Sequence, residues 1–560
     1  MNWLAETLRR YPELAVFLVV SSGALIGKIK LGSVGIGTVT GSLFAGLLVG
    51  QLNIPMAPSA KAILFLLFLL GNGYSIGPQF FRSLKGEGAR YLALAVFQCV
   101  AGLLGAVVIA RSLHLDVGLA AGLLSGALTQ SPAIGTASET IAALQLPQVQ
   151  RDLLIAHVAI GDALCYMFGT AGTIWFLSFF APTLLRINLA DEAKKLESKL
   201  HIDGLRPGLL STYAPFALRA YRVNNATIAG HTVRAFESLR PGMRFYVEQL
   251  RHGNVILKAL DDTMIEPGDI VALSGRRSTV MEIGGTVGEE VDDKELLDMP
   301  GIIQTVTVTN AAVIGKPLEE LAQWRDTRGI YLRRIRRIGQ DIPILPGTTL
   351  DRGDTVELLG TEAALKRFVV MVGTAHKSDA TTDLAAVGLG IFVGGLIGAP
   401  FLLIHGFRLS LGTAVGTLIV GILLGWLHSV RPAFGRIPEA ASSLMISLGL
   451  AAFVGMNGIQ AGAHFVEAFK AQGIPLLLGG VAVTLFPLIC GLYFGRYVLK
   501  LNPVLLLGAC AGAQTVTAAL AEVQERAGSR TPVLGYTVPY AIGNILLTIW
   551  GSVIVTLLSS

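Results

Sequence analysis

The residues whose types and spacing could do chemistry lie in two short polar interruptions of otherwise apolar sequence. Thr129, Gln130 and Ser131 sit between Gly126 and Pro132 in GALTQSPA (126–133), and Gln514, Thr515 and Thr517 sit in GAQTVTAA (512–519). They offer hydroxyl and amide groups, together with small residues and a proline that interrupt a helix. A helix broken at membrane depth frees backbone N–H and C=O groups, and half-helix N-termini carry partial positive charge. Such a segment can recognise a carboxylate without an arginine. Small polar residues also let membrane helices pack closely, but a duplicated polar motif with a helix-breaking proline in one copy points to binding.

Asp162 is the second candidate, in the apolar run HVAIGDALCYMFG. A charge at a helix centre costs about 2.5–3.5 kcal/mol on insertion scales. It reads as a coupling-ion or proton site, as an acceptor that orients the hairpin, or as a plain structural hydrogen bond. Its counterpart is the neutral Asn544. His157, earlier on the same segment, reads as a packed or interfacial histidine as readily as a coupling group. Asn72 and Asn457, each followed by glycine in a broken apolar segment, place amides for substrate or mark kinks satisfied by neighbouring backbone.

The remaining chemistry is thin. No HxxxH or HExxH pattern occurs and no G-x-x-x-x-G-K-[ST] phosphate loop, so no metal, no cofactor and no ATP-driven pump is expected. Cys99, Cys165, Cys490 and Cys510 lie in apolar segments without CxxC spacing and read as small hydrophobes. Arg333, Arg334, Arg336 and Arg337 form the densest basic cluster, inside a strand-like segment, and no basic run interleaves with aromatics, so nucleic acid is not an expected partner.

These residues must be positioned by membrane helices. Of the 560 residues, 52% are hydrophobic and 15% charged, and the charges crowd into 183–380. Apolar runs at 14–27, 34–52, 59–81, 90–110 and 153–181 predict spans, with a broken segment at 117–138; the set returns at 383–404, 411–427, 440–462, 474–495 and 533–558, with a broken segment at 503–520. The halves match in order. GTVTGSLFAGLLVG (37–50) parallels GTAVGTLIVGILLG (412–425), Asn72-Gly73 parallels Asn457-Gly458, the two polar motifs parallel each other, and Gly161-Asp162 parallels Gly543-Asn544. Duplication of this kind is the plan of many secondary transporters.

Lys28, Lys30, Arg82, Lys85 and Arg90 in the first half, and Arg431, Arg436, Arg496, Lys500, Arg526 and Arg530 in the second, fall on one side if each broken segment re-enters without crossing. The net charge of +6 then reflects positive-inside bias. The expectation is a polytopic α-helical membrane protein with two inverted repeats of about five spans plus one re-entrant hairpin each. Both termini lie outside and residues 183–380 are cytoplasmic. Glu6, Glu13 and the missing small-residue cleavage site argue against a cleaved signal peptide.

The domain reading is 1–182 and 381–560 for the transmembrane repeats, 183–205 for a linker, and 206–291 and 292–380 for two small α+β domains. The latter rest on an internal repeat: FYVEQLRHGNVILKALDDTMIEPGDIVALSG (245–275) against IYLRRIRRIGQDIPILPGTTLDRGDTVELLG (330–360), each with alternating strands and a Gly-Asp turn.

The two Gly-Asp modules resemble the TrkA-C type, which regulates potassium conductance. Paired modules of this type between two five-span halves resemble the aspartate:alanine exchanger family over nearly the whole chain. GALTQSP is similar to that family's Gly-Ala-x-Thr-x-x-Pro signature; the second copy lacks the proline. The resemblance implies a bacterial inner-membrane antiporter, not an enzyme, which exchanges an acidic amino acid or dicarboxylate for a related, less charged product, with aspartate and alanine as the first pair. The expected partners are a small-molecule substrate, the lipid bilayer and a second copy in a homodimer. The modules read as a dimerisation block or as the seat of a regulatory ligand. A glutamate or succinate exporter is the nearest alternative. An ion channel or potassium transporter gated by the modules belongs to another class and would want a TVGYG-like filter, which the sequence lacks. A sensor merely anchored by its spans and an intramembrane enzyme are more remote.

The topology has a direct test. Cysteines placed in 53–60 and at the C-terminus should label from the outside, and cysteines in 206–375 only from the inside. Periplasmic labelling of 206–375 would remove the inverted arrangement.

Overall fold

The computed structural model describes residues 2–31, 34–35, 37–83, 88–199, 216–239, 245–298, 301–324, 327, 329–375, 381–404, 407–410, 412–431 and 434–559. Lys85, the end of the expected linker and the first residues of the first α+β domain lie outside them. The chain divides into two units. One takes Met1–Asp203, Arg337–Pro343 and Lys377–Ser560, the other Gly204–Arg336 and Ile344–His376.

The first unit is helical. Its first half contains α1 (Pro12–Ile26), α2 (Thr38–Gly50), α3 (Pro58–Ser83), α4 (Gly88–Ser112), α5 (Val117–Ala127), α6 (Pro132–Ala142) and α7 (Gln148–Trp175). The second contains α8 (Leu384–Gly398), α9 (Gly412–Val430), α10 (Glu439–Tyr493), α11 (Pro503–Ala513), α12 (Thr517–Ala527) and α13 (Val533–Ser559). Six helices among the described residues are long and apolar enough to cross a membrane: Pro58–Phe81, Gly88–Ser112, Gln148–Leu184, Gly412–Val430, Glu439–Val498 and Val533–Ser559.

Local signals set these boundaries. The Asp116 carboxylate accepts from Leu119 N (2.9 Å) at the start of α5, and the Asn502 side chain accepts from Val504 N (2.9 Å) at the start of α11. Before each cap stands a left-handed residue, His114 (φ 51°) and Lys500 (φ 54°). α5 and α6 are separated by a short turn at 128–131, and α11 and α12 by one at 514–516.

Glycines set the packing. A Cβ at Gly46 would lie 2.4 Å from Gly455 O and one at Gly50 2.2 Å from Ile459 O, where α2 meets α10. In the other half a Cβ at Gly73 would lie 2.5 Å from Leu418 O and one at Gly77 2.3 Å from Ile422 O, where α3 meets α9. Between membrane helices there is no water to expel, so close backbone approach over small residues supplies the attraction. The contacts also give direction. α2 runs parallel to the first part of α10, and α3 runs parallel to α9. Phe65 stacks on Phe453 (4.3 Å) and Ser75 Oγ meets Ser442 Oγ (3.0 Å), so α3 runs antiparallel to that part of α10.

One expectation is corrected. The spans predicted at 440–462 and 474–495 form the single helix α10 of 55 residues. The intervening HFVEAFKAQ carries no helix breaker, and Pro475, which follows Gly473, is accommodated inside the helix. At 1.5 Å per residue such a helix is about 80 Å long, far beyond a hydrocarbon core of about 30 Å. Its two apolar parts can share one bilayer only by bending, and Gly473-Ile474-Pro475 is the weak point. The loop expected between those two spans is therefore absent, and continuous helix stands in its place. The span predicted at 383–404 also ends early, at Gly398, and a two-stranded ribbon (Phe401–Ile404 with Phe407–Ser410) leads into α9 as Lys30–Leu31 with Val34–Gly35 leads towards α2.

The second unit repeats one small α+β design. β1 (Phe216–Arg222), β2 (Phe245–His252), β3 (Val255–Lys258), β4 (Ile270–Arg276) and β5 (Glu290–Val291) stand in the order β3-β2-β4-β1-β5. β6 (Gly301–Val308), β7 (Ile330–Arg337), β8 (Thr355–Thr361) and β9 (Gly373–Ala375) repeat its core as β7-β8-β6-β9. The Gly-Asp motif is a turn. Gly268 and Gly353 take φ of 86° and 85°, and Asp269 and Asp354 each accept the backbone N–H three residues earlier (Glu266 and Asp351, 2.8 Å). His252 also meets Asp269 (2.8 Å), and that hydrogen bond, with the nearby carboxylates, raises the histidine above its usual pKa. The first domain reaches past residue 291: Leu296 is buried with Ala220 and Ala272, and Arg251 pairs with Asp293 (2.7 Å).

The glycine crossings predict a contrast. Gly46→Val should lower thermal stability in detergent, because overpacking costs about 1–3 kcal/mol. Gly395→Ala, whose added Cβ meets nothing within 4 Å, should leave the melting temperature unchanged.

Candidate substrate site

Thr129 and Thr515 occupy the tips of the α5–α6 and α11–α12 hairpins, and both are left-handed, with φ of 56° and 59°. The tips meet. Thr129 Oγ1 donates to Gln514 O (2.6 Å), and Thr515 Oγ1 donates to Gln130 Oε1 (3.0 Å). The Gln130 amide donates to Thr548 Oγ1 (2.9 Å) on α13. Gln514 accepts from Thr173 Oγ1 of α7 (2.7 Å) and donates to Thr484 O of α10 (3.2 Å). Gln130, Ser131 and Gln514 are buried, Thr515 is half-buried and Thr517 is exposed.

Asp162 is fully buried on α7 and joins the first arm of the first hairpin to its turn. Its Oδ1 accepts from Ser125 Oγ on α5 (2.7 Å), and its Oδ2 accepts from Ser131 Oγ at the turn (3.2 Å). The approach is tight, since a Cβ at Gly126 would lie 2.6 Å from Asp162 O. Pro132 occupies the first helical turn of α6, where its missing N–H is harmless.

The other expected residues divide. Asn72 reaches Asn544 (3.4 Å), whose backbone carbonyl faces Gln130 Nε2 (3.4 Å), so both border the tips. Asn457 does not join them: it accepts from Lys61 Nζ (3.2 Å), which also donates to Gln460 (2.7 Å). His157 pairs with Asp116 (2.8 Å), the cap of α5, instead of facing Asp162. Thr517 meets the Tyr536 hydroxyl (2.8 Å). Sequence reasoning missed Ser125, Thr173, Thr484, Thr548 and Lys61. Only Lys61, a cation near the start of an apolar run, carried a visible signal.

The arrangement concentrates two amides, several hydroxyls and the backbone of two helix breaks at one buried point, and it contains no nucleophile–base pair. Among the described residues no cluster of three or more His, Cys, Asp or Glu side chains could hold a metal.

Residues 15–182 and 386–556 match a family profile described as a predicted permease membrane region, that of the aspartate:alanine exchangers. The chain belongs to the aspartate:alanine exchanger family. It is 46% identical over 516 residues to an uncharacterized transporter of Bradyrhizobium diazoefficiens, covering 92% of this chain and 100% of that one. It is 41% identical to one from Bordetella parapertussis (99% and 98% covered) and 36% identical to one from Shewanella oneidensis (100% of both). No solved structure matches the chain. The protein is therefore a multi-pass bacterial membrane transporter, not an enzyme.

The Asp162 geometry gives a third test. Asp162→Ala strands the buried Ser131 hydroxyl and leaves Ser125 only the Gly122 carbonyl (3.1 Å), a loss of about 1–3 kcal/mol, and should lower both transport and yield. Asp162→Asn keeps one acceptor and lets one serine reverse its role, so it should retain most transport with an unchanged pH profile. A flattened pH profile in Asp162→Asn would assign Asp162 to proton coupling instead.

Proposed function

We propose that this transporter is a secondary antiporter that exchanges an acidic amino acid or dicarboxylate for a related, less charged substrate, with aspartate and alanine as the first pair, by alternating access. The observation that carries the reading is the meeting of two sequence-matched broken hairpins at a buried polar point. Freed backbone donors, helix ends and the side chains of Thr129, Gln130, Ser131, Gln514 and Thr515 can replace the water around a carboxylate. Asn72 and Asn544 border that point, and Asp162 holds the first hairpin in shape.

The inverted arrangement is part of this proposal, and helix directions support it better than span counting does. α2 is parallel to the first part of α10, which is antiparallel to α3, which is parallel to α9; matched elements α2 and α9 thus run in opposite senses. The linker helix Leu189–Lys199 packs on α11 and α12, and Glu197 accepts from Ser529 just beyond α12. The base of the second hairpin then lies on the same side as the end of the first transmembrane repeat, which we take as cytoplasmic. Those domains are read as TrkA-C-like regulatory or dimerisation modules.

Charge movement tests the substrate. Aspartate carries one net negative charge at neutral pH and alanine none, so one-for-one exchange moves one charge. At 100 mV that is worth about 2.3 kcal/mol, more than a tenfold bias. Alanine-loaded liposomes should take up labelled aspartate faster when a potassium gradient with valinomycin makes the inside positive. Saturable uptake that ignores the imposed potential would exclude this pair and favour substrates of equal charge.

A further inference from the structure

Glu139 on α6 and Glu525 on α12 are matched residues, separated by the same interval that relates Thr129 to Thr515 and Gly126 to Gly512. Thr413 and Thr38 are matched as well. Each opens a helix, α9 or α2, and each follows a left-handed glycine, Gly412 (φ 75°) or Gly37 (φ 80°). In the first hairpin the glutamate is docked. Glu139 Oε1 accepts from Thr413 N (2.6 Å) and Thr413 Oγ1 (2.7 Å), and Oε2 accepts from Ala414 N (3.2 Å). The carboxylate thereby caps α9 and ties the hairpin to it.

The second hairpin is not docked in this way. α2 has no side-chain cap, Thr38 is exposed, and Glu525 is exposed with no hydrogen bond or ion pair to its carboxylate among the described residues. The arms differ in the same sense. From Pro132 to Ser138 every residue of α6 is buried, whereas Thr517, Ala518, Ala521 and Glu525 of α12 are exposed.

We propose that Glu139 and Glu525 are alternating latches, positioning residues that each hold one hairpin closed in one of two states. The inference rests on the alternating-access reading. In the present state Glu139 caps α9 and the first hairpin is shut, while the second lies open. In the opposite state Glu525 caps α2 through Thr38 N, Thr38 Oγ1 and Val39 N, and Glu139 is released. A carboxylate is favoured at a helix N-terminus by direct hydrogen bonds and by the helix dipole. Both glutamates reach water when undocked, unlike Asp162, so neither state leaves a charge buried without partners. Matched latches give the two states similar free energies, the condition under which a substrate can shift the balance.

The test uses the full-length protein in vesicles, with its four native cysteines replaced. Two cysteine pairs are made, Glu139→Cys with Thr413→Cys and Thr38→Cys with Glu525→Cys, and oxidised with copper phenanthroline. Both pairs should cross-link, and each cross-link should block aspartate–alanine counterflow until it is reduced. Glu139→Gln should speed Thr38→Cys/Glu525→Cys cross-linking, and Glu525→Gln should disfavour closure of α12, read from the accessibility of α12 itself. For that second readout, cytoplasmic maleimide labelling of Ala521→Cys should slow by about five- to tenfold in Glu139→Gln and not slow in Glu525→Gln, the range expected from loss of one helix cap. Failure of the Thr38/Glu525 pair to cross-link in vesicles that still catalyse counterflow would overturn the latches and leave alternating access standing. Equal effects of the two glutamine variants on Ala521→Cys labelling would also overturn them. If both pairs cross-link and counterflow continues undiminished, alternating access itself fails.

Discussion

An apolar medium offers no partner to a stray backbone N–H or C=O, and the architecture follows from that constraint. Two helices are broken in the middle of this protein, at 128–131 and at 514–516. Each break exposes polar groups that a continuous helix would have hidden. The protein supplies partners from the other break and from intact helices around it: Gln514 O for Thr129, Gln130 for Thr515, Thr548 and Thr173 for the two glutamines. Asp162 serves the same need within the first hairpin, by holding one hydroxyl from its first arm and one from its turn. The groups that satisfy the breaks are also the groups a carboxylate would seek.

Close packing makes this arrangement affordable in space. Helices that touch through glycine leave little room for rearrangement, and the Gly46/Gly455 and Gly73/Leu418 crossings tie α2 to α10 and α3 to α9 at near-contact of their backbones. The hairpins share this packing in their first arms, where a Cβ at Gly122 would lie 2.4 Å from Val158 O on α7 and one at Gly512 2.4 Å from Tyr536 O on α13, and they add side-chain hydrogen bonds at their tips. Glycine in step across the two halves marks the seams, and Thr, Gln and Ser mark the parts that face them.

Much of this was legible in the sequence because it depends on local rules. The break before Pro132 follows from composition, and the Gly-Asp motif from the geometry of one turn. The matched glycines announced a duplicated packing scheme, although only the structure shows which carbonyl each one meets. The tips' outer partners were not legible. Thr173, Thr484 and Thr548 lie on three separate helices, look like ordinary hydroxyls in apolar runs, and acquire meaning only when those helices converge. Asn457 and His157 show the converse: both have the right type and place in the pattern, yet Lys61 and Asp116 claim them. The unbroken course of α10 escaped notice because hydropathy registers two apolar stretches whether or not a helix joins them, and a short charged segment between them reads as a loop.

The tip residues carry one further consequence. A β-branched side chain in the left-handed region is a rare conformation that costs of order 1–2 kcal/mol, and both Thr129 and Thr515 adopt it. Glycine would sit there without strain but could not donate the hydroxyl hydrogen bonds that join the tips. Each such bond contributes only about 0.5–1.5 kcal/mol net, so strain cancels much of the adhesion. The junction is thus orderly in geometry yet weak in cohesion, and pulling the two hairpins apart meets a low energetic barrier at the very surface where they are most closely fitted.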